Sequence, residues 1–515
     1  MLTYQPETFG SDLQSCKWIF DLFAIGFDHI SCYFSPPASG IAFAEPTAQD
    51  ILSLEDKLIA SDGEIPKELW SALDLPVGKQ ELTGQSFLMR LFFVLQVIDR
   101  ACADLNYFKY GLDATRWERV TQRLYLNDAN LAMACDGLVT IMPPRLGRPH
   151  PEAWSTRALE KGWKIPVERG IHHHRYFQNL SRVPPIPGCN VRHFVLSART
   201  DLDSRAWPVL KIGMVPMLHE LELCVPTHAQ YRPGPLRILP TGQGRFSIGT
   251  EPTGSKSWQE VFDLVDKAFA FFITNNVQLV VFPELTVPDP VLDHMKNILR
   301  HQAMTQGKGI ELVLAGTFLR DEGENGLPKN TAVVLNGSGQ ELWRQRKMQP
   351  YEMQPYEQER YGLQGLFGNC ARREDIECFP REIFVCDSPS AGLRIAVLIC
   401  EDCCHQQPAI SAVQQLRANL LLVPVMAGAL LPERQFSSSA TALAYEPGAI
   451  TVISNSAVFP SCEWAGHPPG AASGDPPIGI VSMPLQDTTY ESKWFINKYI
   501  KESNIGRIVL FSVGE

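Results

Sequence analysis

The sequence predicts an α/β fold of stacked sheets covered by helices over residues 206–515 of a 515-residue chain. Two observations carry this prediction. Apolar, strand-like runs alternate with stretches whose apolar residues recur at helical spacing. Three of those runs deliver a carboxylate, an amine and a thiol to their ends, in the order Glu284, Lys347, Cys400. An α/β fold places its chemistry at the C-terminal ends of its strands. A thiol nucleophile served by an acid/base pair is the reading this order supports.

The elements follow in order. VLKIGMV, Val209 to Val215, opens as a strand, and a long excursion runs from Leu218 to Ser255. A helix is predicted from Trp258 to Ile273, with Phe262, Val265, Ala268 and Phe272 on one face. The apolar run Val277 to Phe282 then ends in Pro283-Glu284. In TVPDP, Asp289 suits an N-cap and Pro290 the first helical position, so a helix runs towards Gln302 with Leu292, Met295 and Leu299 inward. A strand over Glu311 to Thr317 precedes a hairpin of Thr331 to Asn336, a turn at Gly337 to Gly339, and a return strand from Glu341 that terminates in Lys347. Strands at Ile383 to Cys386 and Leu393 to Cys400, a helix over Pro408 to Leu416, and a strand over Leu420 to Val425 complete the alternation.

Each functional residue has a bland reading when taken alone. FPE after a strand is a turn residue, RQRK is a solvated basic face, and a cysteine in an apolar run is a small buried hydrophobe. Taken together, with separations of 63 and 53 residues and a strand before each, they outweigh those readings. The blocks VVFPEL, NTAVVLNGSGQELWRQRK and GLRIAVLICED resemble the three signature blocks of the nitrilase superfamily of carbon-nitrogen hydrolases. ANLLLVPV, AITVISN and GIVSMPLQD fit the same pattern further on. The resemblance implies a nitrilase-like four-layer α-β-β-α sandwich over 206–515, assembled as a homo-oligomer, with Glu284, Lys347 and Cys400 as its triad.

That triad has a chemical logic. A free thiol with a pKa of about 8.5 is mostly protonated at neutral pH and needs a base. Glu284 is expected to take that proton as Cys400 attacks, give it to the departing amine, and later activate water against the thioester. Lys347 and the backbone N–H of Glu401 would stabilise the tetrahedral oxyanion. The resemblance further implies a second glutamate between lysine and cysteine that holds the lysine and positions the substrate. Glu352, Glu357 and Glu359 are all available in MQPYEMQPYEQERYGL, and similarity to the glutaminase part of glutamine-dependent NAD synthetases favours Glu357.

Cys-Glu-Asp at the nucleophile resembles the amide-hydrolysing branch, so a small-molecule amide is expected ahead of a nitrile. Acyl transfer to an amine through the same thioester is a close rival, and a non-catalytic scaffold or sensor is the alternative from another class. No cofactor is implied. CEDCCH lacks a second spaced ligand pair for zinc, and three adjacent side chains, His172, His173 and His174, do not face one ion from a single element, so no metal site is expected.

A formal net charge of −10 argues against a nucleic-acid or membrane surface. Thirteen scattered cysteines, an odd count, and a start without a basic leader point to reduced thiols in the cytoplasm. Residues 1–200 form an expected accessory domain, mixed or mainly helical, with helical stretches at Ile51 to Ala60 and Ser86 to Leu105 and a Pro-rich linker at RVPPIPG. Two segments depart from the family pattern: the excursion at 218–255 and an insert from Gly362 to Pro380.

Overall fold

The structure, a computed structural model, describes residues 16–33, 53, 57, 64–73, 81–102, 138–141, 180–183, 186, 188–196, 210–217, 221–223, 236–242, 244–249, 255–305, 309–320, 327–361, 363, 368, 370–388, 393–431, 434–445, 449–456, 459–460, 478–482, 499–502 and 506–513. The chain divides into two compact units: Met1–Pro187 with Gln415–Arg417, and the remainder.

In the first unit, helices α1 (Ile19–Tyr33), α2 (Lys67–Leu73) and α3 (Gln85–Ala101) are accompanied by an antiparallel pair, β1 (Leu138–Ile141) and β2 (Leu180–Val183). Helix α1 buries Phe20, Leu22, Phe23 and Ile30, and α3 buries Leu88, Leu91 and Leu95. Gly26 permits their close approach, because a Cβ there would press on Leu91 and Leu95. The buried Asp99 carboxylate accepts the Leu180 N–H at 2.7 Å and so pins β2 to α3. The stretch Ile51 to Ala60, apart from residues 53 and 57, and the three histidines at 172–174 lie outside the described residues.

The second unit is α/β. One sheet is built from β4 (Leu210–Met214), β8 (Leu279–Val281), β9 (Leu312–Arg320), β10 (Lys329–Asn336), β11 (Glu341–Arg346), β19 (Tyr499–Glu502) and β20 (Gly506–Val513), and its seven strands lie in the order β11-β10-β9-β8-β4-β20-β19. A second is built from β3 (Asn190–Val195), β14 (Glu382–Ser388), β15 (Leu393–Val397), β16 (Leu420–Val425), β17 (Ile450–Asn455) and β18 (Gly479–Ser482), and its six strands lie in the order β18-β17-β16-β15-β14-β3. The two sheets share one logic: three central parallel strands, β4-β8-β9 in one and β15-β16-β17 in the other, flanked by antiparallel neighbours. Central parallel strands are buried on both faces, which is why they read as unbroken apolar runs.

Helices α4 (Ser255–Thr274) and α5 (Asp289–Thr305) cover the seven-stranded sheet. Val265, Ala268, Phe269 and Phe272 of α4 and Leu292, Met295 and Leu299 of α5 join Val280, Phe282 and Val313 in one core, as the helical spacing predicted. A six-residue helix, α6 (Pro355–Arg360), follows Lys347, while α7 (Ser411–Gln415) and α8 (Gln435–Tyr445) precede β16 and β17 respectively.

The two departures from the family pattern fold onto each other. The excursion forms β5 (Leu221–Leu223), β6 (Leu236–Gly242) and β7 (Arg245–Gly249), and the region after Lys347 forms β12 (Glu352–Met353) and β13 (Arg372–Glu374). Together they make a five-stranded sheet in which β13 runs parallel to β7, pairing Glu374 with Phe246. An Arg245–Asp375 ion pair at 2.9 Å reinforces the join.

Strand β3 lies upstream of the expected boundary at residue 206 yet forms the edge of the six-stranded sheet. It is fastened by a buried cluster: Arg394 donates to both Asp387 oxygens at 2.7 and 2.9 Å, and His193 from β3 sits 3.1 Å from the same carboxylate. Burial opposes the Asp387 charge, but Arg394 and His193 outweigh it and hold its pKa well below the usual carboxylate range.

Candidate active site

Three strand ends build the site. After β8 the chain makes a tight turn, Phe282-Pro283-Glu284-Leu285, with Leu285 in the left-handed region at φ 57°. The turn lies flat against β9, whose Gly316 carbonyl accepts the N–H groups of Thr286 and Val287. A side chain on Gly316 would collide with the Pro283 carbonyl and the Glu284 backbone, so only glycine fits there. After β15, Cys400 opens a short 3-10 turn, Cys400–Cys403, with φ 49°. A non-glycine residue held there stores about 1–3 kcal/mol of strain. Lys347 follows β11 and is fixed by its N–H on the Asn330 carbonyl at 2.9 Å.

The side chains converge in a buried network. Lys347 Nζ donates to Glu284 Oε1 at 2.8 Å and to Glu374 Oε2 at 2.7 Å. Asn330 Nδ2 bridges the same carboxylates, donating to Glu284 Oε1 at 2.7 Å and Glu374 Oε1 at 3.0 Å. Glu284 Oε2 accepts the Met426 N–H, just past β16, at 3.0 Å, and Glu374 Oε2 accepts the Tyr351 N–H at 3.0 Å. Glu284, Lys347, Glu374 and Cys400 each expose less than 5 % of their surface.

Burial sets the charges. It raises the pKa of Glu284, against the pull of Lys347 and with the help of Glu374. Burial works against the Lys347 ammonium, but Glu284 and Glu374 overcome it and keep the amine protonated. Cys400 is driven well above the ordinary thiol value by burial and then by Glu284, with Lys347 opposing and Glu401 and Glu374 adding to the rise. Burial thus favours the neutral form of the Cys400 thiol, while Glu284 and Glu374 favour the charged form of Lys347.

Asp402 ties two of these strand ends together. Its carboxylate accepts the N–H groups of Met348 at 3.0 and 3.1 Å, Gln349 at 2.8 Å and Ile399 at 3.3 Å, so the turn after Lys347 is clamped to the turn that carries Cys400. Burial nevertheless pushes its pKa up to about 7.

Of the acids available for the lysine, the one in contact with Nζ beside Glu284 is Glu374, from the insert. Glu357 lies in α6, where it accepts the Gln354 N–H at 2.8 Å and the Tyr351 hydroxyl. Burial raises its pKa despite those donors, and Glu401 adds to the rise. Glu352 accepts from Gln354 Nε2 at 3.1 Å, and Glu359 is exposed. Glu401 pairs with His405 at 3.2 Å. Among the described residues no three His, Cys, Asp or Glu side chains gather as a metal site, and no helix is long and apolar enough to cross a membrane. Cys400, Cys403 and Cys404 are free thiols, as are Cys370 and Cys378 of the insert.

Carboxylate, ammonium and thiol are thus carried by the ends of three strands of an α/β scaffold. Residues 248–447, a stretch that holds Glu284, Lys347, Glu374 and Cys400, match the family model described as carbon-nitrogen hydrolase. Solved structures similar to the chain include an amidase from Nesterenkonia sp., at 16% identity and a TM-score of 0.32, covering 59% of this chain and 90% of that one. Saccharomyces cerevisiae Nit3, described as a member of branch 10 of the nitrilase superfamily, is 12% identical with a TM-score of 0.32, covering 59% and 90%. A carbon-nitrogen hydrolase from Helicobacter pylori G27 is 14% identical with a TM-score of 0.30, covering 54% and 83%. No curated protein matches the chain.

Proposed function

We propose that this protein hydrolyses a non-peptide carbon-nitrogen bond, that of a small-molecule amide, through a thioester on Cys400. The observation that supports this reading best is the ammonium of Lys347 held between Glu284 and Glu374, with the Cys400 thiol buried in the field of all three. Because the thiol rests neutral, attack on the carbonyl carbon is coupled to proton transfer to Glu284. The carbonyl oxygen gains negative charge beside Lys347 and the Glu401 N–H, donors of a kind typically worth about 3 kcal/mol each. Glu284 then protonates the departing amine, and water activated by the same carboxylate cleaves the thioester.

In this reading Glu374 holds the lysine, while Glu357 and Glu401 face the substrate. Glu357 is suited to an amide carbonyl because burial favours its neutral, hydrogen-bonding form. The two large sheets form the inner layers of a four-layer sandwich, and identical subunits assemble through it. Incubation with an amide panel, with ammonia release and product mass as readouts, tests the assignment. Hydrolysis products without added amine support it; products formed only when an amine is supplied would assign the thioester to acyl transfer.

A further inference from the structure

The two oxygens of Glu284 are not equivalent. Oε1 accepts both Lys347 Nζ at 2.8 Å and Asn330 Nδ2 at 2.7 Å, which occupies both of its lone pairs. Oε2 accepts one donor, the Met426 N–H at 3.0 Å, and keeps one lone pair. On the proposed hydrolase reading, the open lone pair of Oε2 is the one that can take the proton leaving Cys400. In that step the S–H bond breaks as the S–C bond forms, the proton moves to Oε2, and the carbonyl π pair moves to the substrate oxygen. When the tetrahedral species collapses, Oε2 returns the proton to the departing amine.

Met426 N–H is thus a fixed donor on the reacting oxygen, and its position depends on the loop 426–428. That loop is held from one side by Asn455, a fully buried residue at the end of β17. Asn455 Oδ1 accepts the Ala427 N–H at 2.9 Å, and its Nδ2 donates to the carbonyls of Ala427 at 3.0 Å and Gly428 at 2.9 Å. The strand end carrying Asn455 is itself anchored. Asn455 N–H donates to Ile478 O at 2.9 Å and Ser456 N–H to Val425 O at 3.3 Å, while Ser454 Oγ reaches Val281 O at 3.1 Å, on the strand that leads to Glu284.

We infer that Asn455 is a positioning residue for proton transfer: through the backbone of residues 426–428 it fixes the Met426 N–H on Glu284 Oε2, the oxygen that exchanges the proton with Cys400. This rests on the hydrolase reading of the same site. A backbone donor on a carboxylate favours its anion, so a loosened loop makes Glu284 ionise at higher pH. The other groups facing Glu284 are Lys347 from the end of β11, Glu374 from β13, Cys400 after β15 and the neutral Asn330 of β10. All are untouched by a substitution at Asn455, whose side chain bonds backbone atoms of residues 427 and 428.

The test is the pH dependence of iodoacetamide labelling at Cys400 in the full-length protein, followed by intact mass, for the wild type, Asn455→Ser and Asn455→Asp. The wild-type rate should rise with pH along an acid limb that Glu284→Gln removes. Both Asn455 variants should move that limb up by about one pH unit, the size expected when a hydrogen bond to a charged group is lost. Asn455→Asp, which keeps the acceptor oxygen but loses both donors, should shift it at least as far as Asn455→Ser. An acid limb at the wild-type pH in variants with native near-UV circular dichroism overturns the inference. So does failure of both variants to fold, which reduces Asn455 to a structural brace. If the wild type itself shows no limb that depends on Glu284, the hydrolase reading of the triad fails first, and the two failures are distinguishable.

Discussion

Replacing Lys347 with methionine keeps most of the apolar stem of the side chain and removes the cation shared by the two buried carboxylates. In the native site Nζ lies 2.8 Å from Glu284 and 2.7 Å from Glu374, with all three side chains 2% exposed. The variant leaves Glu284 and Glu374 facing each other across Asn330 with no positive charge between them. Removing one partner of a buried ion pair costs about 3–5 kcal/mol, and because Asn330 still donates to both acids the lower end, about 3 kcal/mol, is expected here. The pH dependence follows from Glu284. Its folded-state pKa, already raised by burial, rises further without the lysine. A carboxylate raised above its unfolded value favours folding at low pH and loses that contribution as pH rises through the folded value. The deficit against wild type should therefore be largest near pH 7 and shrink towards about pH 4, where unfolded glutamate itself protonates. Urea unfolding of both proteins at the two pH values measures it. A deficit below about 1 kcal/mol at pH 7, or one that is the same at both, would refute the shared-cation description.

Glu284→Gln preserves shape and removes the proposed base, so iodoacetamide labelling of Cys400 near pH 7 should slow at least about tenfold; an unchanged rate would count against Glu284 as the proton acceptor. Asp402→Asn turns an amide N–H towards backbone N–H groups of Met348, Gln349 or Ile399, and should cost about 1–3 kcal/mol in thermal or urea unfolding while slowing labelling. An Asp402→Asn variant as stable and reactive as wild type would show that the clamp between the two turns is dispensable. A chain beginning at Gly188 should be more soluble and more stable than one beginning at Ala206, because the shorter chain exposes the edge of β14 and deprives Asp387 of His193. Equal behaviour in size-exclusion chromatography and melting would show that β3 contributes little.

How much of this was legible in the sequence varied with how local the signal was. The central strands were readable because strands buried on both faces are continuous apolar runs, and Glu284, Lys347 and Cys400 stood out because each closely follows a strand. Helices α4 and α5 were readable because Val265, Phe272, Leu292 and Met295 recur at helical spacing. Glu374 was not. It sits in ARRED, a charged run that resembles a solvated face, on a three-residue strand whose partner, β7, lies far upstream. Nothing in the order of residues announces that two irregular segments will pair and carry a carboxylate to the lysine. Strand β3 was missed for the same reason, since its parallel partner β14 is remote in sequence. Met426 contributes a backbone N–H, which has no side-chain signature, and Asn330 and Asn455 begin or end strands where an amide also serves as a turn residue.

The most direct test of thioester chemistry at this site is the intact mass of the full-length protein, mixed with a panel of small amides, quenched in acid within seconds, and mapped by peptide digestion. The expected result is an acyl adduct on Cys400 that decays with hydrolysis, is absent in Cys400→Ala despite native folding, and persists when Cys403 or Cys404 is replaced. Turnover of any amide by the Cys400→Ala protein, or an adduct that maps to another cysteine, would contradict covalent catalysis by this thiol.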